Sequence, residues 1–177
     1  MTTIREKIER TINELYGENA VYVLRDTGVN DEIKSAERFA VKGREDMVDF
    51  CSKRALEKAE QFNENRLSPV TVKVGDGATV CLYSDCHAGT IVKVTKCSIT
   101  IQYDKATLDP NFKPEFVAGG FAGHCINQED QTYTYERNPE GQKEVYRWSN
   151  KYNRYQGGGD GSIRVIKGRH EFYDYNF

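Results

Sequence analysis

The sequence predicts an α+β protein whose first third is helical and whose remainder is rich in β-strands. Apolar residues recur at helical spacing up to Phe62, whereas beyond Pro69 they alternate with polar residues. Turn-forming glycine, proline and asparagine then divide the chain at regular intervals, which is typical of a small antiparallel sheet. We therefore expect an N-terminal helix–strand–strand–helix unit at 1–68 and a strongly bent antiparallel β-sheet, or a partly open barrel, at 69–177.

The first helix is predicted to begin directly after Thr3. Thr3 and Glu6 have the spacing of a capping box, in which each side chain accepts a hydrogen bond from a backbone N–H at the helix start. Gly17 is placed to end the helix. The apolar face of this predicted helix consists of Ile4, Ile8, Ile12 and Leu15.

Two short strands and a second helix complete the predicted N-terminal unit. Residues 20–24 and 38–42 are β-prone, and the first of these runs leads into a turn-forming sequence at 26–28. After Gly43, apolar residues return at helical spacing. They are Met47, Phe50, Cys51, Ala55, Ala59 and Phe62. The charged residues between them are expected to form a solvated face of this helix.

The β-rich part is predicted from runs of alternating apolar and polar residues. These runs are 70–74, 78–83, 90–95, 98–103, 132–137, 144–148 and 162–167. The segment 108–130 is predicted to be an ordered loop with three phenylalanines, Phe112, Phe116 and Phe121. Long loops in compact proteins often carry function, although a flap that covers the open end of the sheet explains these rings equally well.

Charge is distributed unevenly along the chain. The formal net charge is −2, and residues 1–68 hold 12 basic and 14 acidic side chains. Residues 143–170, in contrast, contain seven Lys and Arg residues and two acids, a balance of +5. Because local charge determines what approaches a surface, this region is the one expected to meet an anionic partner.

The sequence contains no signal for export or for membrane insertion. The start of the chain lacks an apolar stretch behind a basic lead, and no window of about 18 apolar residues occurs. A cytoplasmic location is therefore expected. The five cysteines are an odd number in a chain large enough to form its own core, which favours reduced thiols over a disulfide framework.

Cysteine and histidine residues do not have the spacing of a metal site. The possible zinc ligands are Cys81, Cys86, His87, Cys97, His124 and Cys125. Structural zinc sites usually contain paired ligands about two to four residues apart, and no such pair of cysteines is present. Cys86 and Cys125 each adjoin a histidine, but neighbouring residues on a strand point to opposite faces, so nucleophilic catalysis is not predicted. No metal and no cofactor is expected.

Carboxylates leave a hydrolytic alternative open. Asp85, Asp104 and Asp174, together with Asp109 and Glu171, could form a magnesium-dependent nuclease site if the sheet brings them together. Their spacing does not show that it does. Aspartate at strand ends more often forms turns through local hydrogen bonds.

A basic and aromatic stretch near the C-terminus predicts a surface that binds nucleic acid or a partner. Cations neutralise phosphates, and flat rings can stack on unpaired bases. The predicted binding residues are Arg147, Trp148, Lys151, Tyr152, Arg154, Tyr155, Arg164, Lys167 and Arg169. The alternative is that alternate residues bury the rings in the sheet and leave the cations as a solvated outer face.

Several short motifs in the β-rich part carry a resemblance to a known family. They lie at 74–80, 84–85, 88–92, 101–104 and 168–177. With these motifs, residues 72–177 resemble a family of small, mostly uncharacterised phage and mobile-element proteins. The resemblance implies an accessory protein of a bacterial mobile element, a class in which some members inhibit host defence. A separate likeness to SH3-like barrels of nucleic-acid-associated proteins concerns the fold alone.

These observations favour a non-enzymatic binding protein that inhibits a host nucleoprotein defence complex. Its most concrete form is an anti-CRISPR inhibitor of a Cas9-type effector, whose protein surface or guide RNA/DNA would be the partner. Such a protein would act in the cytoplasm of the host bacterial cell. The alternatives are a metal-dependent nuclease that acts on RNA or DNA and a structural phage protein with an SH3-like nucleic-acid-associated domain.

Overall fold

A computed structural model describes residues 2–119, 122–158 and 161–176, with Ala122 described by its backbone only. The chain divides into two compact units. A helical unit comprises residues 1–71 together with 150–153, and a β unit comprises 72–149 and 154–177. This arrangement confirms the predicted α+β class.

The helical unit is built from helices alone in its described residues. The helices are α1 (Ile4–Tyr16), α2 (Ala20–Val23), α3 (Thr27–Val41) and α4 (Glu45–Asn65), with a 3-10 turn at Gly17–Asn19. The capping box of α1 is confirmed, since Thr3 N donates to Glu6 Oε2 at 2.8 Å and Glu6 N donates to Thr3 Oγ1 at 3.2 Å. No helix in the described residues is both long enough and apolar enough to span a membrane.

The two strands predicted in this unit are wrong. Residues 20–24 and 38–42 lie mainly in α2 and in the end of α3. Asp26 does not form the predicted turn but caps α3, because its Oδ1 accepts hydrogen bonds from Gly28 N and Val29 N. The helix then buries Val29, Ile33 and Ala36 on one face, and this burial outweighs the local β propensity.

Burial against neighbouring helices defines the core of the helical unit. The core consists of Ile8, Ile12, Ala20, Val23, Val29, Ile33, Ala36, Cys51, Ala55, Ala59 and Phe62. Two predicted core positions are wrong, because Leu15 is 61% exposed and Phe50 is 52% exposed. On α4, the predicted Cys51 is buried, and Val48, which was not predicted, joins it in the buried stripe.

The β unit contains ten strands in its described residues. They are β1 (Gly77–Cys81), β2 (Cys86–Val94), β3 (Ser98–Tyr103), β4 (Lys105–Leu108), β5 (Phe116–Gly119), β6 (Ala122–Cys125), β7 (Tyr133–Glu136), β8 (Lys143–Ser149), β9 (Arg154–Gly157) and β10 (Ile163–Lys167). Six of them close into an antiparallel barrel in the order β1-β10-β9-β8-β3-β2. The strongly bent antiparallel sheet is therefore confirmed, and it closes fully. The remaining strands pair as β4 with β7 and β5 with β6.

Six of the predicted β runs contain strands, and one does not. The run at 70–74 consists of turns and irregular chain. The predicted loop at 108–130 holds the β5–β6 pair, which the alternation of apolar residues did not reveal. Of its three phenylalanines, Phe112 and Phe116 lie near the ring of Tyr175, with centroids 6.1 and 6.3 Å away, whereas Phe121 lies outside the described residues.

Inward-pointing side chains fill the barrel. Buried residues on its strands include Val80, Ile91, Ile99, Ile101, Tyr146, Tyr155 and Val165. The large Tyr146 ring needs glycine on the neighbouring strand, since a Cβ at Gly157 would lie 2.9 Å from that ring. The Tyr146 ring and Gly157 are therefore a matched pair of large and small residues on adjacent strands of the barrel.

The C-terminal segment 168–176 is bound to the rest of the β unit through its backbone and side chains. Cys86 and Phe172 exchange two backbone hydrogen bonds of 3.0 and 2.9 Å. Farther along, Asn176 Oδ1 accepts from Cys125 N at 2.6 Å, and Asn176 Nδ2 donates to Cys125 O at 3.1 Å. The segment is thus an integral part of this unit.

Candidate nucleic-acid interface

Strand alternation places a set of cations on the outward side of the barrel. On β8, Tyr146 is 1% exposed and points inward. Successive residues of a strand point to opposite faces, so Lys143 and Arg147, which lie an odd number of positions from Tyr146, point outward. The same argument applies on β9, where Tyr155 is buried, and on β10, where Val165 is buried. We call Lys93, Lys143, Arg147, Arg154 and Arg164 the outer cationic face.

Register brings the members of the outer cationic face together. Gln156 pairs with both Arg147 and Arg164, so these two arginines lie in one row, two strands apart. Adjacent strands are about 4.8 Å apart, which puts the two backbone positions about 10 Å from each other. Lys93 joins the face because it pairs with Thr100, whose neighbours on β3 are buried inside the barrel.

The outward side of these strands carries no acidic residue. Glu144 is the only Asp or Glu in β2, β3, β8, β9 and β10, all of which are fully described. It has the parity of Tyr146 and faces the interior, where Oε2 accepts hydrogen bonds from the hydroxyls of Tyr146 and Tyr103. Burial, together with this carboxylate, raises the pKa of Tyr103 to about 12. The one acid is therefore turned away from the outer cationic face.

Several of these cations have no acidic partner within the part of the chain that the structure describes. Lys93, Lys143 and Arg147 are exposed and take part in none of the salt bridges found among the described residues. Arg154, in contrast, is held by the protein, since its Nη2 donates to Gly161 O at 3.2 Å. Lys93, Lys143 and Arg147 together produce a positive potential that attracts anionic ligands.

The aromatic half of the predicted binding surface lies largely inside the barrel. Tyr155 is 0% exposed and Tyr146 is 1% exposed, and half-buried Trp148 packs edge-to-face on Tyr155 with centroids 5.1 Å apart. The predicted stacking role of Tyr155 is therefore wrong. Alternation along β8 and β9 turns the rings inward and the cations outward, as the alternative interpretation of this stretch held, with Arg147 exposed and Arg154 half-buried.

Two further predicted residues belong to the helical unit. Lys151 and Tyr152 lie in the segment 150–153 that joins β8 to β9. Tyr152 is 46% exposed, and the Lys151 ammonium lies 4.8 Å from the centroid of its ring. This contact is a cation–π interaction within the segment.

Arg169 has a structural role at the edge of the barrel. Its Nε donates to Asp104 Oδ2 at 2.8 Å, and its Nη2 donates to Thr90 Oγ1 at 2.6 Å. Lys167 is exposed at the end of β10 and has the parity of Val165, so it lies on the interior side of that strand. Neither residue is part of the outer cationic face.

The acids predicted for a nuclease site do not assemble into one. Asp104 has a fully buried side chain that pairs with Arg169 and Arg137, so its charge is compensated by guanidinium groups. Asp85 Oδ1 accepts from Asp174 N at 2.9 Å. No group of three or more His, Cys, Asp or Glu side chains that could hold a metal occurs among the described residues. Asp109 is a turn former, since its Oδ1 accepts from Asn111 N.

Sequence reasoning missed a second polar site, a cleft of about 400 Å³ where β2 begins and β3 ends. The cleft is lined by His87, Ala88, Tyr103, Asp104, Lys105, Ala106, Asn138 and Glu171. His87 Nδ1 lies 2.9 Å from Glu171 Oε1, and Ala88 N donates to Glu171 Oε2 at 2.7 Å. The hydrogen bond to Glu171 raises the pKa of His87.

Both oxygens of Glu171 are occupied by the protein, so this pair anchors the C-terminal segment to β2. The two residues are 84 positions apart, and no local signal in the sequence links them. The outer cationic face had a partial signal, since Arg147, Arg154 and Arg164 were predicted as binding residues. The register adds Lys93 and Lys143 to it.

Comparison with known proteins does not indicate a function for this chain. No protein family model, curated protein or solved structure matches the chain. The function must therefore be inferred from the chemistry of the site itself.

Proposed function

We propose that the protein is a binding protein whose outer cationic face contacts the phosphate backbone of a nucleic acid. The observation that carries this proposal is the sorting of charge across five adjacent strands. Every charged side chain that points outward from them is a cation, and their one acid, Glu144, points inward. Such a surface attracts phosphates by electrostatic interaction alone, and this binding requires no catalysed reaction.

The composition of the face favours backbone contacts over base recognition. Of the rings adjacent to its cations along the chain, Tyr146 and Tyr155 are buried, and Trp148 is half-buried against Tyr155. Stacking on bases therefore contributes little at this surface, and hydrogen bonds and ion pairs to phosphates dominate. Binding of this kind depends weakly on base sequence and strongly on salt.

In its more specific form, the proposal is that the ligand belongs to a host nucleoprotein defence complex, with a Cas9-type effector as the candidate. Such an effector holds its guide RNA and target DNA mainly through backbone contacts in basic channels. A protein with its own cationic face could compete for those phosphates in the cytoplasm of a bacterial host. This form is supported by the sequence resemblance to phage and mobile-element proteins, whereas the phosphate contact is supported by the outer cationic face.

The first test is the binding of labelled single-stranded RNA at low salt, measured by fluorescence anisotropy. The double variant Lys143→Glu, Arg147→Glu should bind at least about tenfold more weakly than the unmodified protein, because two phosphate contacts become repulsive. The control is Arg10→Glu, Lys42→Glu, which makes the same charge change at two exposed positions of the helical unit and should retain binding. Equal loss in both variants, or no binding by the unmodified protein, would overturn the proposal.

The second test separates the specific form from the general one. Cleavage of target DNA by a guide-loaded Cas9-type effector is measured with the unmodified protein and with both double variants. Inhibition that disappears only with Lys143→Glu, Arg147→Glu is the expected result. RNA binding without inhibition would remove the defence-complex form and leave the phosphate contact intact.

A further inference from the structure

The β1–β2 hairpin places two cysteines directly opposite each other near its turn. Cys81 and Cys86 are register partners, and Leu82 N donates to Asp85 O at 2.8 Å to close the turn between them. The backbone N and O of Cys86 both bond to Phe172 on its other side. Cys81 and Cys86 are therefore a non-hydrogen-bonded pair of an antiparallel ladder.

This backbone arrangement is compatible with a disulfide. In a non-hydrogen-bonded pair the two Cα atoms are about 4.5 Å apart and the side chains lie on the same face of the sheet. Disulfides span Cα separations of about 4.4 to 6.8 Å. The two thiols can thus be joined without moving the strands apart.

The surroundings differentiate the two sulfurs. Cys81 is 2% exposed, whereas Cys86 is half-buried and can be reached from solvent. Arg164 is the register partner of Cys81 on the opposite strand, β10. A hydrogen bond from the Cys86 thiol, together with Arg164, lowers the pKa of Cys81 to about 6, and the same contact raises the pKa of Cys86. Cys81 is therefore the thiolate of the pair near neutral pH.

We propose that Cys81 and Cys86 form a reversible dithiol–disulfide site that reacts with low-molecular-weight disulfides such as oxidised glutathione. Cys86 is the residue that meets the external disulfide, and Cys81 is the residue that resolves the adduct. All five cysteines are free thiols in this structure, so it represents the reduced state.

The reaction proceeds by two thiol–disulfide exchanges. In the first, the Cys86 proton passes to Cys81 across their hydrogen bond, and Cys86 sulfur attacks one sulfur of oxidised glutathione. A Cys86–glutathione bond forms, the glutathione disulfide bond breaks, and one glutathione leaves as a thiolate, which takes up the proton now held by Cys81. In the second, the Cys81 thiolate so regenerated attacks Cys86 sulfur, and the second glutathione leaves as a thiolate that takes up a proton from solvent. The protein loses two electrons and the one proton that the pair shared, and the external disulfide becomes two thiols.

The remaining cysteines determine the design of the test. Cys51 and Cys125 are buried, but Cys97 is exposed and would form its own adduct. The experiment therefore uses a Cys97→Ser background, with intact-mass spectrometry and peptide mapping after incubation with oxidised glutathione. Two further variants add either Cys81→Ser or Cys86→Ser to this background.

Each protein gives a distinct expected mass. The Cys97→Ser protein should lose two hydrogens and no longer react with a thiol reagent at Cys81 and Cys86, and dithiothreitol should restore it. With Cys81→Ser added, a single glutathione should remain trapped on Cys86. With Cys86→Ser added, Cys81 should stay unmodified. A stable glutathione adduct on the Cys97→Ser protein, or an unchanged mass, would overturn the proposal.

Discussion

The helical unit and the β unit are stabilised in different ways. The core of the helical unit is apolar, and the buried polar residues among its described residues are Asn19, Ser68 and Asn153. Asn19 and Ser68 hydrogen-bond to each other, and Asn153 Nδ2 donates to Tyr22 O. The β unit, in contrast, contains partly buried ionic and polar contacts between residues far apart in sequence. Asp104 and Arg169 are 65 positions apart, and His87 and Glu171 are 84 positions apart.

This difference explains how a chain with a net charge of −2 can present a cationic surface. The acids near the barrel are used inside it or at its edge, where Asp104 pairs with arginines and Glu144 accepts from tyrosines. Lys143 and Arg147 are then left on the outer cationic face. In the helical unit, charges of both signs alternate on the solvated side and pair locally, as Arg5 does with Glu9.

The largest effect is expected from a cavity in the helical core. Ile12 is fully buried in α1, and Ile12→Ala should lower the free energy of unfolding of the helical unit by about 3 kcal/mol. Urea unfolding followed by far-UV circular dichroism measures this change. Leu15→Ala on the same helix is the control, because Leu15 is 61% exposed and should change the midpoint little. Equal shifts in the two variants would contradict the assigned apolar face.

A smaller loss is expected from the buried carboxylate of the β unit. Asp104→Asn keeps the shape of the side chain but leaves Arg169 and Arg137 without their anion, at a cost of about 2 kcal/mol. Trp148, the only tryptophan, reports the unfolding of this unit by its fluorescence. The control is Asp46→Asn, which breaks an exposed ion pair with Arg44. It should leave the unfolding transitions of the helical unit and of the β unit unchanged. A neutral effect of Asp104→Asn would show that the β unit does not depend on this contact.

The smallest effect is a dependence on pH at His87. Its folded pKa is raised by Glu171, so the contact stabilises the fold fully below the unfolded pKa of about 6.5 and is lost as pH rises through the folded pKa. The stability advantage of the unmodified protein over His87→Gln should therefore be larger at about pH 5.5 than at about pH 9. Trp148 fluorescence during urea unfolding measures the stability of the two proteins at each pH. An advantage that does not change with pH would mean that His87 is not charged in the contact.

The sequence predicted the elements whose local pattern agrees with their final burial. The cap at Thr3, the helix ending in Asn65 and the strand at Ser98–Tyr103 have patterns that the fold preserves. The local sequence pattern gave a wrong prediction where tertiary packing outweighs it. Residues 20–24 are β-prone but mainly helical, because Ala20 and Val23 pack into the helical core.

The candidate site was predicted in its charges but not in its geometry. A stretch of alternating rings and cations does not show which set points outward, and only the closed barrel settles that for Arg147 and Tyr155. Lys93 is about 50 positions before Lys143 in the chain, and strand pairing alone brings it to the same face. Long-range polar pairs such as His87 with Glu171 have no local signal.

The most direct test of the outer cationic face is the salt dependence of nucleic-acid binding. The logarithm of the association constant for single-stranded RNA is plotted against the logarithm of salt concentration for the unmodified protein and for Lys143→Gln, Arg147→Gln. Loss of two phosphate contacts should reduce the steepness of this line by about 1.4, at about 0.7 for each contact. Arg10→Gln, Lys42→Gln should leave the slope unchanged. The same slope for all three proteins would contradict the claim that this face binds phosphates.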